Sequence, residues 1–238
     1  MPASPASFSG IFLFDKPKGI TSHDGVDLLR QKLRFKKIGH GGTLDPMATG
    51  LLIMLVGAAT SGQAGMQGSS KVYSGTICFG AETDTWDADG KVTNEGPPPD
   101  LSQECVKAAV EAFSGEITQR IPPYSAVRHN GQHLYKLARS GEPVPEMHRR
   151  TRVTWLSWEV KPSGLDFVIE CAGGTYLRSI AFEMGRKMGS CAHLCALRRL
   201  SIGRWKVCDA VTSGALEAMT AERAAALLAP APKGGMHA

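Results

Sequence analysis

The sequence predicts an α+β fold with a mixed β-sheet. Residues 51–56 form a continuous apolar run that stops at Gly57, which is typical of a buried strand. Residues 165–171 place apolar side chains on one face and pair with residues 153–160 across a Pro-Ser-Gly turn, which indicates a hairpin. Residues 177–188 carry apolar side chains at helical spacing. Strands and helices thus follow one another irregularly, and this order favours α+β over a regular alternation of strands and helices.

The other elements follow from apolar spacing and capping residues. Two more strands are predicted at residues 11–14 and 73–79. More helices are predicted to begin at Thr21 or Ser22, to cover residues 106–113, and to cover residues 134–139 before Gly141. In the first of these helices, Val26, Leu29 and Leu33 form one apolar face. The acidic loop 82–90 ends in Asp-Ala-Asp-Gly, which we interpret as a turn because the rest of a calcium loop is absent.

One folded domain is expected over residues 10–209. Residues 1–9 are small side chains and prolines, which predict a flexible tail. Residues 210–238 form a short alanine-rich segment, and its stretch 229–235 combines prolines and glycines that cannot pack much. We therefore expect the C-terminal segment to be partly disordered.

The composition is that of an ordinary globular protein. Hydrophobic residues make up 42% and charged residues 21% of the 238 residues, which excludes a disordered chain. The N-terminus lacks the features of a secretory signal, and the longest apolar run is too short to cross a bilayer. We therefore expect a cytoplasmic protein whose six cysteines are reduced and buried.

A cysteine and histidine cluster near the C-terminus raises the question of a metal site. Cys191, His193 and Cys195, with Cys208 downstream, do not have the spacing of a usual zinc site. On a helix, Cys191 and Cys195 would share a face with Leu194, so apolar packing explains them. No metal is expected, and the role of this cluster stays open.

The basic residues fall into three clusters. They are Arg30, Lys32, Arg34, Lys36 and Lys37; Arg149, Arg150 and Arg152; and Arg198, Arg199, Arg204 and Lys206. The formal net charge of +5 permits an RNA partner without requiring one. A run of charges is usually a solvated surface, but three clusters beside candidate site segments favour phosphate contacts.

Segment 40–52, with the sequence HGGTLDPMATGLL, is the most informative part of the chain. Gly41 and Gly42 allow a tight turn or close approach to a ligand, and Pro46 biases Asp45 toward an extended conformation. Asp45 is the only acidic residue of the segment and precedes the buried strand 51–56. Constrained loops on a rigid scaffold often carry catalytic residues. From spacing alone, however, the turn-capping role of an Asp-Pro pair is favoured.

Four more segments accompany this one. They are FDKPKGITS at 14–22; KVY at 71–73 with TDTWDADG at 83–90; PPYSAV at 122–127 with LYKLAR at 134–139; and GTYLRS at 174–179 with LRRL at 197–200. Together the five resemble, in the same order, the motifs of the TruB family, the tRNA pseudouridine-55 synthases, the last being similar to its arginine motif and following helix. The similarity covers about residues 10–209. It implies the pseudouridine synthase fold, a curved, mostly antiparallel mixed sheet with flanking helices and a central active-site cleft.

The resemblance implies three catalytic residues. Asp45 would be the essential carboxylate, attacking C1′ or C6 or abstracting a ribose proton. Tyr73 would stack on the flipped base and transfer a proton. Arg178 would pair with Asp45 and keep the carboxylate ionised and oriented. From the residue types alone, Tyr73 would be a half-buried strand tyrosine and Arg178 a surface arginine.

Seven further residues are expected to contact the RNA or to shape its site. They are His40, Gly41, Gly42, Leu197, Tyr176, Lys16 and Arg128. By resemblance, His40 would fill the gap left by the flipped base and Leu197 would line the uracil pocket. Lys16 is expected to shape the end of a strand rather than to react, and Arg128 to contact phosphate. Trp86 either stacks on RNA or anchors the core.

The function implied is isomerisation of uridine 55 in the T-loop of tRNA after the base is flipped out. Because no redox or phosphoryl step occurs, no cofactor or metal is expected. The expected partner is the tRNA T-arm, with no membrane, no obligate protein partner and a monomeric state.

Two alternatives remain. A tRNA-folding chaperone would not need Asp45, Tyr73 and Arg178, and all three are present. A guide-RNA-dependent pseudouridine synthase normally carries a C-terminal RNA-binding domain, for which residues 210–238 are expected to be too few.

Overall fold

The structure, a computed structural model, describes residues 8–231 except Ser163. The chain divides into two compact units. The first unit holds the chain up to Tyr73 and again from Arg198, and the second holds Ser74–Leu197. Each unit combines helices with mostly antiparallel strands, as the α+β prediction requires.

The described residues form fourteen strands. They are β1 (Gly10–Lys16), β2 (Ile38–His40), β3 (Thr49–Val56), β4 (Lys71–Phe79), β5 (Ala81–Thr83), β6 (Val92–Glu95), β7 (Gly115–Arg120), β8 (Arg128–His129), β9 (Gln132–His133), β10 (His148–Lys161), β11 (Gly164–Cys171), β12 (Ala192–Ile202), β13 (Trp205–Lys206) and β14 (Val211–Thr212).

The same part of the chain forms seven α-helices. They are α1 (Ser22–Leu33), α2 (Gln63–Gly68), α3 (Gln103–Ala112), α4 (Leu134–Ser140), α5 (Leu177–Lys187), α6 (Ser213–Ala218) and α7 (Ala221–Ala226). Short 3-10 helices lie at Gly57–Gly62 and Val207–Asp209.

In the first unit, β3 is paired along both of its edges. β1 runs antiparallel to it along the whole strand, from the pair Gly10–Val56 to the pair Lys16–Gly50. On the other edge, β2 pairs antiparallel with the end of β3, and the end of β12 pairs parallel with its start. The loop 41–48 therefore joins two strands that pair with each other, so the sheet fixes both of its ends.

Both faces of this part of the sheet are covered. Alternate residues of β1 and β3 pack on one side against α1, α6 and α7, in a cluster that includes Phe12, Phe14, Val26, Leu29, Leu52, Met54, Leu216 and Ala224. The intervening residues pack on the other side with Ile11, Leu51, Ile53, Leu55, Met66 and Ile202. Because β3 is buried on both faces, it reads as the continuous apolar run from which it was predicted.

Two local features set the geometry around β3. Helix α1 begins as predicted, with Thr21 as its N-cap and a capping box between Thr21 and Asp24. At the start of β3, Gly50 has φ +100, and a Cβ there would lie 2.3 Å from the carbonyl oxygen of Arg199. The close parallel pairing of β3 and β12 therefore requires a glycine at this position.

The two ends of the chain pack more than the sequence suggested. Phe8 lies edge-on to Phe35, with ring centroids 5.9 Å apart, although residues 1–9 were expected to form a flexible tail. Ala229 exchanges two backbone hydrogen bonds with Ile11, and Ala231 packs on the first unit, because their small side chains fit against β1. The prediction that residues 229–235 pack weakly was therefore wrong for Ala229 and Ala231. Residues 1–7 and 232–238 lie outside the described residues.

In the second unit, β10 and β11 form the predicted hairpin, with a bulge between Trp155 and Ser157. Ser163 in its turn lies outside the described residues. β7 pairs antiparallel with the first half of β10. Helix α4 ends at Gly141, whose φ of 72 is the left-handed cap that the sequence predicted.

The cysteine predictions were wrong in three respects. Residues 192–202 form strand β12, not a helix, because they pair with neighbouring strands over their length. Cys195 is disulfide-bonded to Cys78 on β4, since the two strands bring their Cα atoms to 5.8 Å, within the usual range for a disulfide. Cys105 and Cys208 are exposed, whereas Cys171 and Cys191 are buried as expected.

Candidate active site

Asp45 lies on the loop 41–48 of the first unit with its side chain partly exposed. The backbone on both sides of it is fixed. Leu44 donates its N–H to the Ser22 hydroxyl at 2.8 Å, and the same hydroxyl donates to the Leu44 carbonyl at 3.1 Å. The Ala48 N–H donates to the Asp45 carbonyl at 3.1 Å, which closes a turn after the carboxylate. The loop thus presents Asp45 from a backbone that is itself hydrogen-bonded.

Lys16 holds the same loop from the end of β1. Its side chain is fully buried, and its ammonium group donates to the carbonyls of Pro17, Ile20 and Pro46 at 3.0, 2.8 and 3.2 Å. The Gly19 N–H also donates to the Pro46 carbonyl, at 2.9 Å. This burial favours the shaping role expected of Lys16 over a direct contact with RNA.

The basic cluster that contains Arg199 predicted a phosphate contact, and for Arg199 this prediction was wrong. Its side chain is 1% exposed and points into the first unit. The guanidinium donates to the carbonyls of Gly42, Thr43 and Leu51. Its neighbour Arg198, in contrast, is partly exposed and forms an ion pair with Asp15 at 2.7 Å.

His40 precedes the loop on β2, opposite Met54. Its Nδ1 is buried and has no hydrogen-bond partner among the described residues. Burial, with the nearby charge of Arg199, lowers the pKa of His40 below its usual value. Tyr73, the last residue of this stretch of the first unit, lies on β4 and is buried.

In the second unit, Arg178 lies in the first turn of α5 and is 4% exposed. Its Nη1 donates to the Thr85 carbonyl at 2.8 Å, and its Nη2 donates to the Tyr124 carbonyl at 3.0 Å. The carboxylate of Asp87, also buried, lies 3.5 Å from Nε. Arg178 is therefore an anchored buried arginine rather than a surface one. Its pairing with Asp45 remains a prediction.

The segments around Arg178 are also held in place. Asp87 accepts hydrogen bonds from the Thr85 hydroxyl at 2.6 Å and from the Asp89 N–H at 3.1 Å, as the interpretation of this loop as a turn requires. Trp86 between them has a left-handed backbone, with φ 63, and stacks on Phe182 with centroids 4.2 Å apart. Trp86 is thus a buried anchor, which decides between the two roles left open for it.

Tyr176 precedes α5 and is fixed by a buried glutamine. The amide of Gln119 on β7 donates to the Tyr176 carbonyl and accepts from the Tyr176 N–H, both at 3.0 Å. Leu197 on β12 is partly buried. Arg128 is exposed on the β8–β9 hairpin, where its Nε donates to His133 at 3.3 Å.

The structure thus gathers Lys16, His40, Gly41, Gly42 and Asp45 around one loop of the first unit, and Tyr176 and Arg178 at one helix start of the second. Sequence reasoning missed the side chains that hold these residues in place. They are Ser22, Asp87, Gln119 and Arg199. Ser22, Asp87 and Arg199 each lie in a segment that the family resemblance singled out, but the sequence did not show that their side chains point inward, and Gln119 had no such signal.

Two findings bear on other kinds of site. Within residues 8–162 and 164–231, no three His, Cys, Asp or Glu side chains are grouped so that they could hold a metal ion. No helix in that part of the chain is long and apolar enough to cross a membrane.

The lowered pKa of His40 predicts a pH-dependent contribution to stability. Between the pKa of the unfolded chain, about 6.5, and the lower folded value, the unfolded state binds more protons. The stability that a neutral His40 supplies is therefore present above about pH 6.5 and is lost as the pH falls toward the folded pKa. Denaturation of the wild type and His40→Asn should show the wild type losing more stability between about pH 7.5 and pH 5.5. His129→Asn, in the β8–β9 hairpin, is the control, and equal pH profiles for wild type and His40→Asn would contradict the prediction.

The chain resembles known proteins over most of its length. Residues 30–177 match the model of the TruB family pseudouridylate synthase, N-terminal domain. The chain is 45% identical over 213 residues to "tRNA pseudouridine synthase B" of Opitutus terrae, covering 88% of each chain. It is 42% identical over 208 residues to the protein of that name from Aquifex aeolicus, covering 85% of this chain and 71% of that one.

Solved structures show the same fold. A chain in the crystal structure of a Cbf5-Nop10-Gar1 complex matches with a TM-score of 0.64 and 27% identity, over 86% of this chain and 52% of that chain. This chain thus spans about half the length of that solved structure. Together with the identity to its curated relatives, the match over residues 30–177 shows that the chain belongs to the TruB family of pseudouridylate synthases.

Proposed function

We propose that this protein is a tRNA pseudouridine-55 synthase, an isomerase that converts uridine 55 in the T-loop of tRNA to pseudouridine. Membership of the TruB family supports pseudouridine formation, and the name shared by the relatives supports tRNA as the substrate. The observation that carries the proposal is the placement of Asp45 on a loop whose backbone is fixed by buried polar side chains. Such a loop can hold a carboxylate in one orientation without help from the substrate.

The proposed reaction breaks one bond and forms another within the same nucleotide. The bond between C1′ and N1 breaks, the uracil rotates, and C1′ bonds to C5, whose proton is lost while N1 gains one. A uridine stacked in the T-loop must first be flipped out. Asp45 then acts at C1′ or C6 or removes a ribose proton, Tyr73 stacks on the base and carries a proton, and His40 occupies the space that the base has left. Leu197 lines the uracil pocket.

Arg178 is proposed to orient the Asp45 carboxylate. Support comes from its surroundings: the carbonyls of Thr85 and Tyr124 and the Asp87 carboxylate fix the plane of the guanidinium before any substrate binds. A fixed guanidinium can form two parallel hydrogen bonds to a carboxylate, which sets direction as well as charge. Tyr176 and Arg128 are proposed to contact the RNA.

The wider setting is proposed on the same basis. The protein would act in the cytoplasm as a monomer, on the T-arm alone, and without metal, nucleotide, guide RNA or obligate protein partner. A tRNA chaperone would have no use for the anchoring of the Asp45 loop. The relatives of 40–45% identity share a name that specifies tRNA, which favours the stand-alone enzyme over a guide-dependent one.

An isolated T-arm stem-loop should be converted to the pseudouridine product by the purified chain in the presence of a chelator and with no added cofactor.

Asp45→Asn should lower the rate of this conversion by at least about a thousandfold while RNA affinity and fold are kept, because asparagine retains the shape but not the charge or nucleophile. Pseudouridine is quantified by mass spectrometry, and affinity is measured by titration. Asp209→Asn, an exposed aspartate of the same unit, is the control. Clear turnover by Asp45→Asn would refute its role, and activity that requires a metal would contradict the cofactor-free mechanism.

Arg178→Lys should lower the single-turnover rate on the order of a hundredfold, because lysine keeps the charge but loses the fork, and a misplacement of about 1 Å is enough for such a loss. RNA affinity should change much less, since phosphate contacts elsewhere supply most of the binding. Arg186→Lys is the matched control on the same helix, because Arg186 is mostly exposed and pairs only with Glu82 among the described carboxylates. Near-normal chemistry with weak binding in Arg178→Lys would instead identify Arg178 as a phosphate contact.

A further inference from the structure

Arg199 has the largest fully buried side chain among the described residues. A buried arginine is costly, because its guanidinium loses water and has to be compensated by hydrogen bonds or by an opposite charge. In the part of the chain that the structure describes, no carboxylate forms an ion pair with Arg199. Its compensation is instead three backbone carbonyls, so the side chain is tied to the course of the main chain.

Those carbonyls bracket the Asp45 loop. Nη2 donates to the Gly42 carbonyl at 3.0 Å and Nη1 to the Thr43 carbonyl at 3.2 Å, where the loop begins. Nε donates to the Leu51 carbonyl at 2.7 Å, just after the loop has returned to β3. One rigid planar group therefore spans both ends of the loop, and the positions of its three bonded N–H groups fix the distance between them.

The backbone of Arg199 is fixed as well. Arg199 pairs with Gly50 in the parallel contact between β12 and β3, where the strands approach so closely that only glycine fits. The guanidinium is thus anchored through β12 and sets the distance between the two ends of the loop. Lys16 holds the Pro46 carbonyl, within the loop, from the end of β1. Asp45 is located between the carbonyls that these two cations hold.

We propose that Arg199 is a positioning residue for pseudouridine formation, which sets the backbone path of residues 42–44 and thereby aims the Asp45 carboxylate. This inference rests on the proposed role of Asp45. Arg199 does not touch the RNA, because its side chain is buried. It acts through the loop, so its loss should change the rate of the chemical step and leave RNA binding almost unchanged.

Two substitutions separate positioning from stability. Arg199→Lys keeps the charge and most of the length, but a single ammonium cannot reproduce a fork that reaches both ends of the loop. Arg199→Met removes the charge, keeps an unbranched side chain in the same space, and leaves the three carbonyls without their donor. The expected order of single-turnover rates is wild type, then Arg199→Lys, lower by about a hundredfold, then Arg199→Met, lower still. The dissociation constant for the T-arm should change less than about threefold in both, since the phosphate contacts are untouched.

Leu29→Ala is the matched control for destabilisation. Leu29 is fully buried between α1 and the sheet of the same unit, and none of the hydrogen bonds of the loop involves it. If the Arg199 variants were slow only because the unit is less stable, Leu29→Ala with an equal or larger drop in melting temperature should be as slow. We expect it to keep close to the wild-type rate per folded molecule.

The test is single-turnover kinetics at saturating enzyme, with RNA titration and thermal unfolding on the same preparations. A normal rate in either folded Arg199 variant, or an equal loss of rate in Leu29→Ala, would overturn the inference. Failure of both Arg199 variants to fold would also overturn it, because Arg199 would then be a folding residue. A wild-type chain that makes no pseudouridine would refute the proposed function itself, so the two failures are distinguishable.

Discussion

The candidate site depends on the contact of one buried guanidinium with the carbonyls of Gly42 and Thr43, in the loop that carries Asp45, and of Leu51 on β3 just after that loop. Arg199 supplies that guanidinium from β12, and Lys16 and Ser22 add further hydrogen bonds from β1 and α1. A loop of eight residues with two adjacent glycines could adopt many conformations. Because its carbonyl and N–H groups are bound to side chains from three separate elements, it loses that freedom when the unit folds. The entropy of ordering the carboxylate is then part of folding rather than of catalysis.

The second unit uses the same physical device at a different place. Arg178 is buried and bound to carbonyls of two separate segments as well as to Asp87. Gln119 fixes Tyr176, just before α5, because its amide N–H donates to the Tyr176 carbonyl and its amide oxygen accepts from the Tyr176 N–H. In each unit, therefore, polar side chains that are inaccessible to RNA hold the polar side chains that are proposed to act on it. Buried polar groups of this kind are stable only when they are fully hydrogen-bonded. A substitution at one of them should therefore alter the geometry of the proposed site more than its charge.

The sequence predicted the elements whose signals are local. β3 was recognised from its apolar run, α1 from its cap and α4 from its terminal glycine, because each signal lies within the element itself. The catalytic interpretation of Asp45 needed the family resemblance, since an Asp-Pro pair alone indicates a turn. Arg199 was taken for a phosphate contact because a cluster of basic residues does not show which side chains point inward. Its partners, Gly42, Thr43 and Leu51, are 148 to 157 residues away in the chain.

The Cys78–Cys195 disulfide was not predicted for the same reason, since it also depends on a contact between distant parts of the chain. Cys78 and Cys195 are 117 residues apart, and only the pairing of β4 with β12 brings them together. Cys191 and Cys195 were interpreted on helical spacing, whereas long-range strand pairing places Cys195 on β12. Such pairing depends on partners that a single sequence does not reveal.

The most direct test of this account is amide hydrogen exchange of the free protein, measured residue by residue by NMR. The hydrogen bonds of the Asp45 loop are already formed before RNA binds. The Leu44 N–H, bound to the Ser22 hydroxyl, and the Gly41 N–H, bound to the Ile53 carbonyl, should then exchange about as slowly as the amides of β3. Exchange of these two amides at the rate of an exposed turn residue such as Asn130 would show that the loop is open in the free protein, and would contradict the account.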